Sequence, residues 1–187
     1  MNLRTRTKPA KGTILISAPA LTDIFRKSVI CLCEHDNNGS IGFIFNSPTK
    51  FKVNEILEDF PDFDSYIMLG GPVQPELVNV IHRVPSLIDG GYEIIKGIFW
   101  GGNFESIKDA IYSGKLSPAD VRFFLGYSGW SPNQLNEEIE RDSWLVSNLN
   151  EQDLFETDRN LIWDKSIRAL GQEFAFLRAV PDDPSMN

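Results

Sequence analysis

An α+β fold, a mixed sheet with helices packed against it, is what this chain of 187 residues predicts. Three observations carry the prediction. Strand-like and helix-like segments alternate irregularly, without the steady strand–helix–strand rhythm of a parallel array. Several strand candidates are separated only by tight turns, which join antiparallel neighbours. Continuous apolar runs such as Val29–Cys33 fit strands buried on both faces. The length suits one domain with a full hydrophobic core. We place that domain at 12–180, between a flexible N-terminal arm (1–11) and a disordered tail (181–187).

The elements follow in order. Gly12 to Ser17 reads as the first strand, broken by Ala18-Pro19-Ala20-Leu21. Val29–Cys33 and Ile41–Phe45 form a hairpin around Asp36-Asn37-Asn38-Gly39, where Asn and Gly tolerate positive φ. Val53 to Glu58 is a short helix ended by Pro61. Ser65–Leu69 and Asn79–Arg83 are short strands on either side of Gly70-Gly71-Pro72. Tyr92–Ile95 pairs with Gly97–Trp100. Asn103 caps a helix running to about Tyr112, with Gly114 as its C′ residue. Val121–Leu125 is a buried strand that stops at Gly126-Tyr127-Ser128-Gly129-Trp130, a tight strand-to-helix corner. Ser131, Pro132 and Gln134 form a capping box for the next helix. On that helix Leu135 and Ile139 face inward, and Glu137, Glu138 and Glu140 face water. Trp144–Val146 is a strand, and Asp158 caps a last helix that Leu170 and Gly171 close.

Composition narrows the function classes. Hydrophobic residues make up 42% of the chain and charged residues 24%, as in soluble globular proteins. No apolar run approaches the roughly 20 residues of a membrane span. The N-terminus has charges but no apolar stretch behind them, so a cytoplasmic protein is expected. The net charge of −8 argues against direct nucleic-acid binding, since the basic cluster Arg4, Arg6, Lys8 and Lys11 sits in the arm and reads as a solvated tail. The only cysteines, Cys31 and Cys33, stand two apart on one strand. Their Cα atoms would be about 6.5–7 Å apart, at the limit for a disulfide, so reduced thiols are expected.

Ordered short motifs then point to a family. They begin with Gly12, Ala18-Pro19, Phe25, Ser28-Val29-Ile30, Cys33-Glu34-His35, Gly39, Gly42 and Asn46-Ser47-Pro48. They continue with Gly70-Gly71-Pro72-Val73, His82, Leu125 to Trp130, Gln134-Leu135, Glu138, Trp144 and Leu154-Phe155. In this set and order the chain resembles the YqgE/AlgH family of small bacterial proteins, over nearly its whole length. The resemblance implies a single domain with a bent or bifurcated mixed sheet that closes toward a pseudo-barrel, flanked by helices. It also implies a regulatory protein linked to transcription, and it brings no catalytic residues with it. Trp100-Gly101-Gly102-Asn103 departs from the threonine, serine and aspartate usual in the family at that point.

Six residues are the candidate ligand-binding set: His35, Asn46, Gly71, His82, Tyr127 and Trp130. Tyr127 and Trp130 offer rings with polar tips, beside glycines that let backbone approach closely. His35 and His82 are the groups that titrate near neutral pH. Cys31, Cys33 and His35 can share one strand face, and His82 could complete a zinc set. The spacing does not match a zinc motif, so no metal and no cofactor is expected. Ser17, Ser28 and Ser128 lie in no G-x-S-x-G elbow, and the glycine pairs at 70–71, 90–91 and 101–102 match no phosphate loop. The function expected is a regulatory protein that acts through a protein partner or small ligand. The alternative is an enzyme using His35 or His82 near Tyr127 and Trp130.

Overall fold

The structure, a computed structural model, describes residues 5–148, 154–155 and 158–179. The N-terminal residues 1–4, part of the expected arm, and the expected tail 181–187 lie outside the described residues.

Ten strands form one mixed sheet: β1 (Thr13–Ser17), β2 (Val29–Asp36), β3 (Gly39–Ile44), β4 (Pro48–Lys52), β5 (Tyr66–Leu69), β6 (Val73–His82), β7 (Tyr92–Ile95), β8 (Ile98–Trp100), β9 (Val121–Trp130) and β10 (Trp144–Asn148). The helices that lie wholly within the described residues are α1 (Val53–Ile56), α2 (Phe104–Tyr112), α3 (Gln134–Glu140) and α4 (Ile162–Leu170), with 3-10 segments at Asp23–Phe25 and Gln172–Ala179. The strand order is β10-β1-β2-β3-β9-β6-β8-β7, with β4 and β5 on a side branch. All pairings are antiparallel except β5 with β9.

The branch point is β9. Along one edge it pairs with β6 through both halves, Val121 with His82 and Tyr127 with Val73. Along the other edge its first half meets β5 (Phe124 with Met68) and its second half meets β3 (Trp130 with Ser40). Gly70, at the end of β5, ties the fork together. Its N–H donates to Leu125 O (2.8 Å), and its carbonyl accepts from Ile44 N (3.1 Å) and Ser128 Oγ (3.1 Å). The sheet is therefore bifurcated, as expected. It curls without closing: among the described residues no ladder joins β10 to β7, yet Lys11 Nζ donates to Glu93 O at 3.0 Å and Gly12 abuts Ile95 across the gap.

The curl explains the doubly buried strands. Its inner face holds the main core, including Ile16, Cys31, Phe43, Met68, Ile81, Phe124 and Leu145, with Ile162, Trp163 and Ile167 of α4 packed in. The outer face of the β5–β6–β9 lobe is a second core, where Val80, Val121 and Phe123 meet Val53 of α1 and Ile107 of α2. The outer face of the β1–β2–β3 lobe is a third, where Leu15, Ile30, Leu32 and Ile44 meet Trp130 and Leu135 under α3. Val29–Cys33 thus has apolar neighbours on both sides.

Several expectations need correction. The Gly126–Trp130 stretch is not the corner; the strand runs through to Trp130, and the chain turns at Ser131–Asn133. Of the capping box one half forms, with Gln134 Oε1 accepting from Ser131 N at 2.9 Å. The residue that opens α3 is Asn133, at φ 66°, without a side-chain cap. The 36–39 turn works through the Asp36 carboxylate, which accepts from Asn38 N at 2.7 Å, and of its residues only Gly39 has positive φ. Asp158 organises a turn ahead of α4, and Leu161 occupies the N-cap. Asn103 does cap α2, accepting from Glu105 N at 2.8 Å.

Candidate functional site

Two local irregularities build the main cleft. In β2 the register shifts between Leu32 and Glu34, so Cys33 is an extra residue in the ladder. Cys31 and Cys33 both enter the inner core, and the side-chain alternation then restarts. Glu34 and Asp36 line the cleft; His35 pairs with Ser40 across the ladder, its Nδ1 2.7 Å from Ser40 Oγ. Cys31, Cys33 and His35 therefore do not share a face. In β9 the irregularity is Gly126, at φ +63°, a conformation costly for any residue with a Cβ. It resets the alternation too: Phe124 and Tyr127, three apart, both pack on the inner core, whereas Trp130 packs in the outer core under α3.

The resulting cleft has a volume of about 590 Å³. Glu34, Asp36, Asn38 and Ser40 supply its polar wall. Ile41, Val73, Tyr127 and Pro132 supply its apolar surface, and among the described residues no basic one lines it. The Tyr127 ring lies across Gly129 toward Val73. Trp130 also lines the cleft, but the residue is only 6% exposed. Trp130 Nε1 and Trp144 Nε1 both donate to Glu138 Oε2 at 2.8 Å, and the two indoles meet edge to face at 5.9 Å. Glu138, expected to face water, is half-buried and turned inward by these bonds. Trp130 is thus an anchored wall, and Tyr127 is the ring with surface to offer.

The other candidates lie elsewhere. Asn46 accepts from Val29 N (2.8 Å) and donates to Lys27 O (2.7 Å), pinning the loop before β2. Gly71 packs directly against the Tyr127–Ser128 backbone behind the fork, where a Cβ would overlap main-chain atoms. His82 is fully buried and stacks on Phe99 at 5.6 Å. Its Nδ1 accepts from Val84 N at 3.3 Å, so Nε2 carries the proton. Nε2 has no well-formed hydrogen bond, although the Gly101 backbone lies near it. Burial lowers the His82 pKa, and the Gly101 backbone opposes this in part.

Burial also pushes the Cys33 thiol pKa well up, with Cys31 and Glu34 adding to the rise, the reverse of what a redox thiolate needs. Both cysteines are unbridged. Among the described residues no three His, Cys, Asp or Glu side chains gather where a metal ion could be held. No helix among the described residues is long and apolar enough to cross a membrane. In the departing segment, Trp100 packs on Phe43 at 5.6 Å and Asn103 caps α2, so both serve the fold.

A single bifurcated α+β domain with an acidic, aromatic cleft at its fork is the class of protein that fold and site define. The chain belongs to the AlgH-like family, whose sequence profile matches residues 14–175. It is 41% identical over 180 residues to a UPF0301 protein of Chlorobaculum tepidum, covering 96% of both chains. It is 38% identical over 179 residues to one of Cytophaga hutchinsonii, covering 95% of this chain and 98% of that one. The solution structure of the AlgH protein from Pseudomonas aeruginosa is similar at a TM-score of 0.72 and 25% identity, over 94% of this chain and 97% of that one. The crystal structure of protein DIP2367 from Corynebacterium diphtheriae shares the fold at a TM-score of 0.77 and 22% identity, over 92% and 93% of the two chains.

Proposed function

We propose that this protein is a binding protein with a regulatory role, acting through a partner or small ligand at the cleft beside Tyr127 and not by reading DNA. The observation that carries this is the lining itself: two carboxylates, Glu34 and Asp36, stand beside Tyr127, Ile41 and Val73, with no cation among the described lining residues. That combination suits a cationic group next to an apolar one, as in a basic peptide segment or an aromatic amine. The net charge of −8 supports the exclusion of nucleic acid. The alternative of an enzyme wanted an imidazole in this cleft, and neither His35 nor His82 lines it. A link to transcription would then pass through the partner, and the protein would work in the cytoplasm.

The test is a thermal-shift and NMR titration with short amidated peptides pairing arginine with tryptophan or leucine. A ligand at 100 times its Kd stabilises by about 2.7 kcal/mol. Saturable binding that weakens at least about tenfold in Glu34→Gln/Asp36→Asn supports the proposal, since each 1.4 kcal/mol is tenfold. Binding unchanged by that double substitution, or no binding by any basic or aromatic probe, overturns it.

A further inference from the structure

A second pocket, of about 290 Å³, opens beside α4. Its charge is the opposite of the cleft's. Among the described residues Arg26, Lys27, Arg159 and Arg178 line it, with the carboxylate of Asp164. Four cations around one small hollow are unexpected in a chain of net charge −8, where chance would mix the signs. The fold gathers them from three places: the loop before β2, the turn before α4 and the 3-10 segment after it.

The gathering is supported by specific contacts. Asn46 holds the Lys27 carbonyl (2.7 Å) and the Val29 N–H (2.8 Å), so it fixes the loop that presents Arg26 and Lys27. Lys27 adopts φ +48° there, and its ammonium sits 5.4 Å from the centre of the Trp163 ring. Trp163 is itself fixed, its Nε1 donating to Ser17 O at 3.1 Å. Asp164 is engaged by Arg168 (2.8 Å) and by Arg178. Arg159 is different: half-buried, it has no hydrogen-bond or ion-pair partner among the described residues. Burial lowers its pKa despite nearby Asp158. It also faces like charge, for burial and the neighbouring Arg159 and Arg83 bring Arg122 down to about 10. A guanidinium partly withdrawn from water carries a desolvation cost that an anion joining it would offset.

We propose that this pocket is an anion site for the phosphate or diphosphate group of a small molecule, gripped by Arg159 with Arg26, Lys27 and Arg178. Guanidinium forks match phosphate oxygens two at a time. The volume suits a headgroup and excludes a nucleic-acid duplex. Asn46, the one residue of the expected ligand-binding set that lines this pocket, acts here as a positioning residue.

The experiment titrates the protein with pyrophosphate, inorganic phosphate and sodium chloride at matched ionic strength, followed by thermal shift and by amide NMR shifts. Expected is saturable binding with pyrophosphate strongest and chloride weakest, and with shifted amides around residues 26–27 and 159–164. Arg159→Ala should weaken pyrophosphate binding at least about tenfold. Asp164→Asn, which removes a competing carboxylate, should tighten it, an effect that a merely structural role of these residues would not produce. Glu34→Gln/Asp36→Asn in the cleft should leave it unchanged, which separates this proposal from the one above. Chloride matching pyrophosphate, or Arg159→Ala binding as well as wild type in a folded protein, overturns the proposal. A phosphoserine peptide binding tighter than pyrophosphate overturns the small-molecule source.

Discussion

The two halves of β9 share one strand and serve opposite ends. Val121 to Phe124 are buried without interruption, with Phe123 in one core and Phe124 in another. From Gly126 to Trp130 buried and accessible positions mix, and Tyr127, Gly129 and Trp130 line the cleft. The first half is held by neighbours on both edges and both faces. The second half is held at fewer points: a single β6 pair (Tyr127 with Val73), the β3 pairing, the Gly70 fork and the Glu138 bridge. The difference teaches how a sheet makes a site. Paired edges and packed faces fix the first half in place, and one glycine lets the second half turn away and expose a ring.

The largest effect should come from breaking the first half. Phe124 is fully buried, with its ring 5.1 Å from Phe43 and 5.0 Å from Phe45. Phe124→Ala should cost about 3–5 kcal/mol, and Tyr127→Ala, three residues on, about 1–2 kcal/mol. Urea unfolding of both variants checks the ratio; equal costs would erase the distinction between the halves. Next comes the hinge between them. A Cβ at Gly126 would lie 2.7 Å from the carbonyl oxygens of Gly71 and Val73. Gly126→Ala adds left-handed strain to that overlap and should cost about 2–4 kcal/mol. Loss of probe binding in the cleft should accompany it. A variant as stable as wild type would mean the hinge is not where the halves part.

Much of the first half could be read in the sequence, and little of the second. Continuous apolar runs identify buried strands whatever their neighbours, so Val121–Leu125 and Val29–Cys33 are legible. The capping of α2 is legible because Asn103 acts on its own helix. The cleft is not, because it depends on two interruptions of strand alternation, at Cys33 and Gly126. Period-2 reasoning puts His35 with the cysteines; the bulge puts Glu34 and Asp36 there instead. Gly126 and Gly129 read as strand terminators because a glycine signals both a turn and a bulge. The inward turn of Glu138 is a tertiary effect of two tryptophans, Trp130 and Trp144, eight and six residues from it. The basic pocket collects residues from 26 to 178, a pairing that no local pattern records.

Glu138 offers a sharper probe of the second half. Its Oε2 accepts both indole N–H groups, and its Oε1 accepts from Gln134 Nε2 at 2.9 Å. Glu138→Gln keeps the shape and one acceptor but removes the charge that strengthens the bonds. A loss of about 1–2 kcal/mol is expected. Tryptophan fluorescence should shift as Trp130 loosens, with the first half of β9 unaffected in hydrogen exchange. Exchange that speeds equally at Phe123 and Trp130 would show the two halves to be one cooperative unit.

The smallest effect tests the first half from its neighbour. His82 pairs with Val121, and burial lowers its pKa. In the unfolded chain the imidazole takes a proton below about pH 6.5, whereas the buried ring resists it. The unfolded state therefore binds more protons in that window. Stability is fully present above pH 6.5 and is lost as pH falls through the depressed folded pKa. His82→Gln removes this contribution, so its stability should fall less between about pH 6.5 and 5 than that of wild type. The cleft variant Tyr127→Ala should keep the wild-type slope, since its ring is not the titrating group. Parallel slopes for wild type and His82→Gln would mean that the acid response lies outside the first half of β9 and its partner strand.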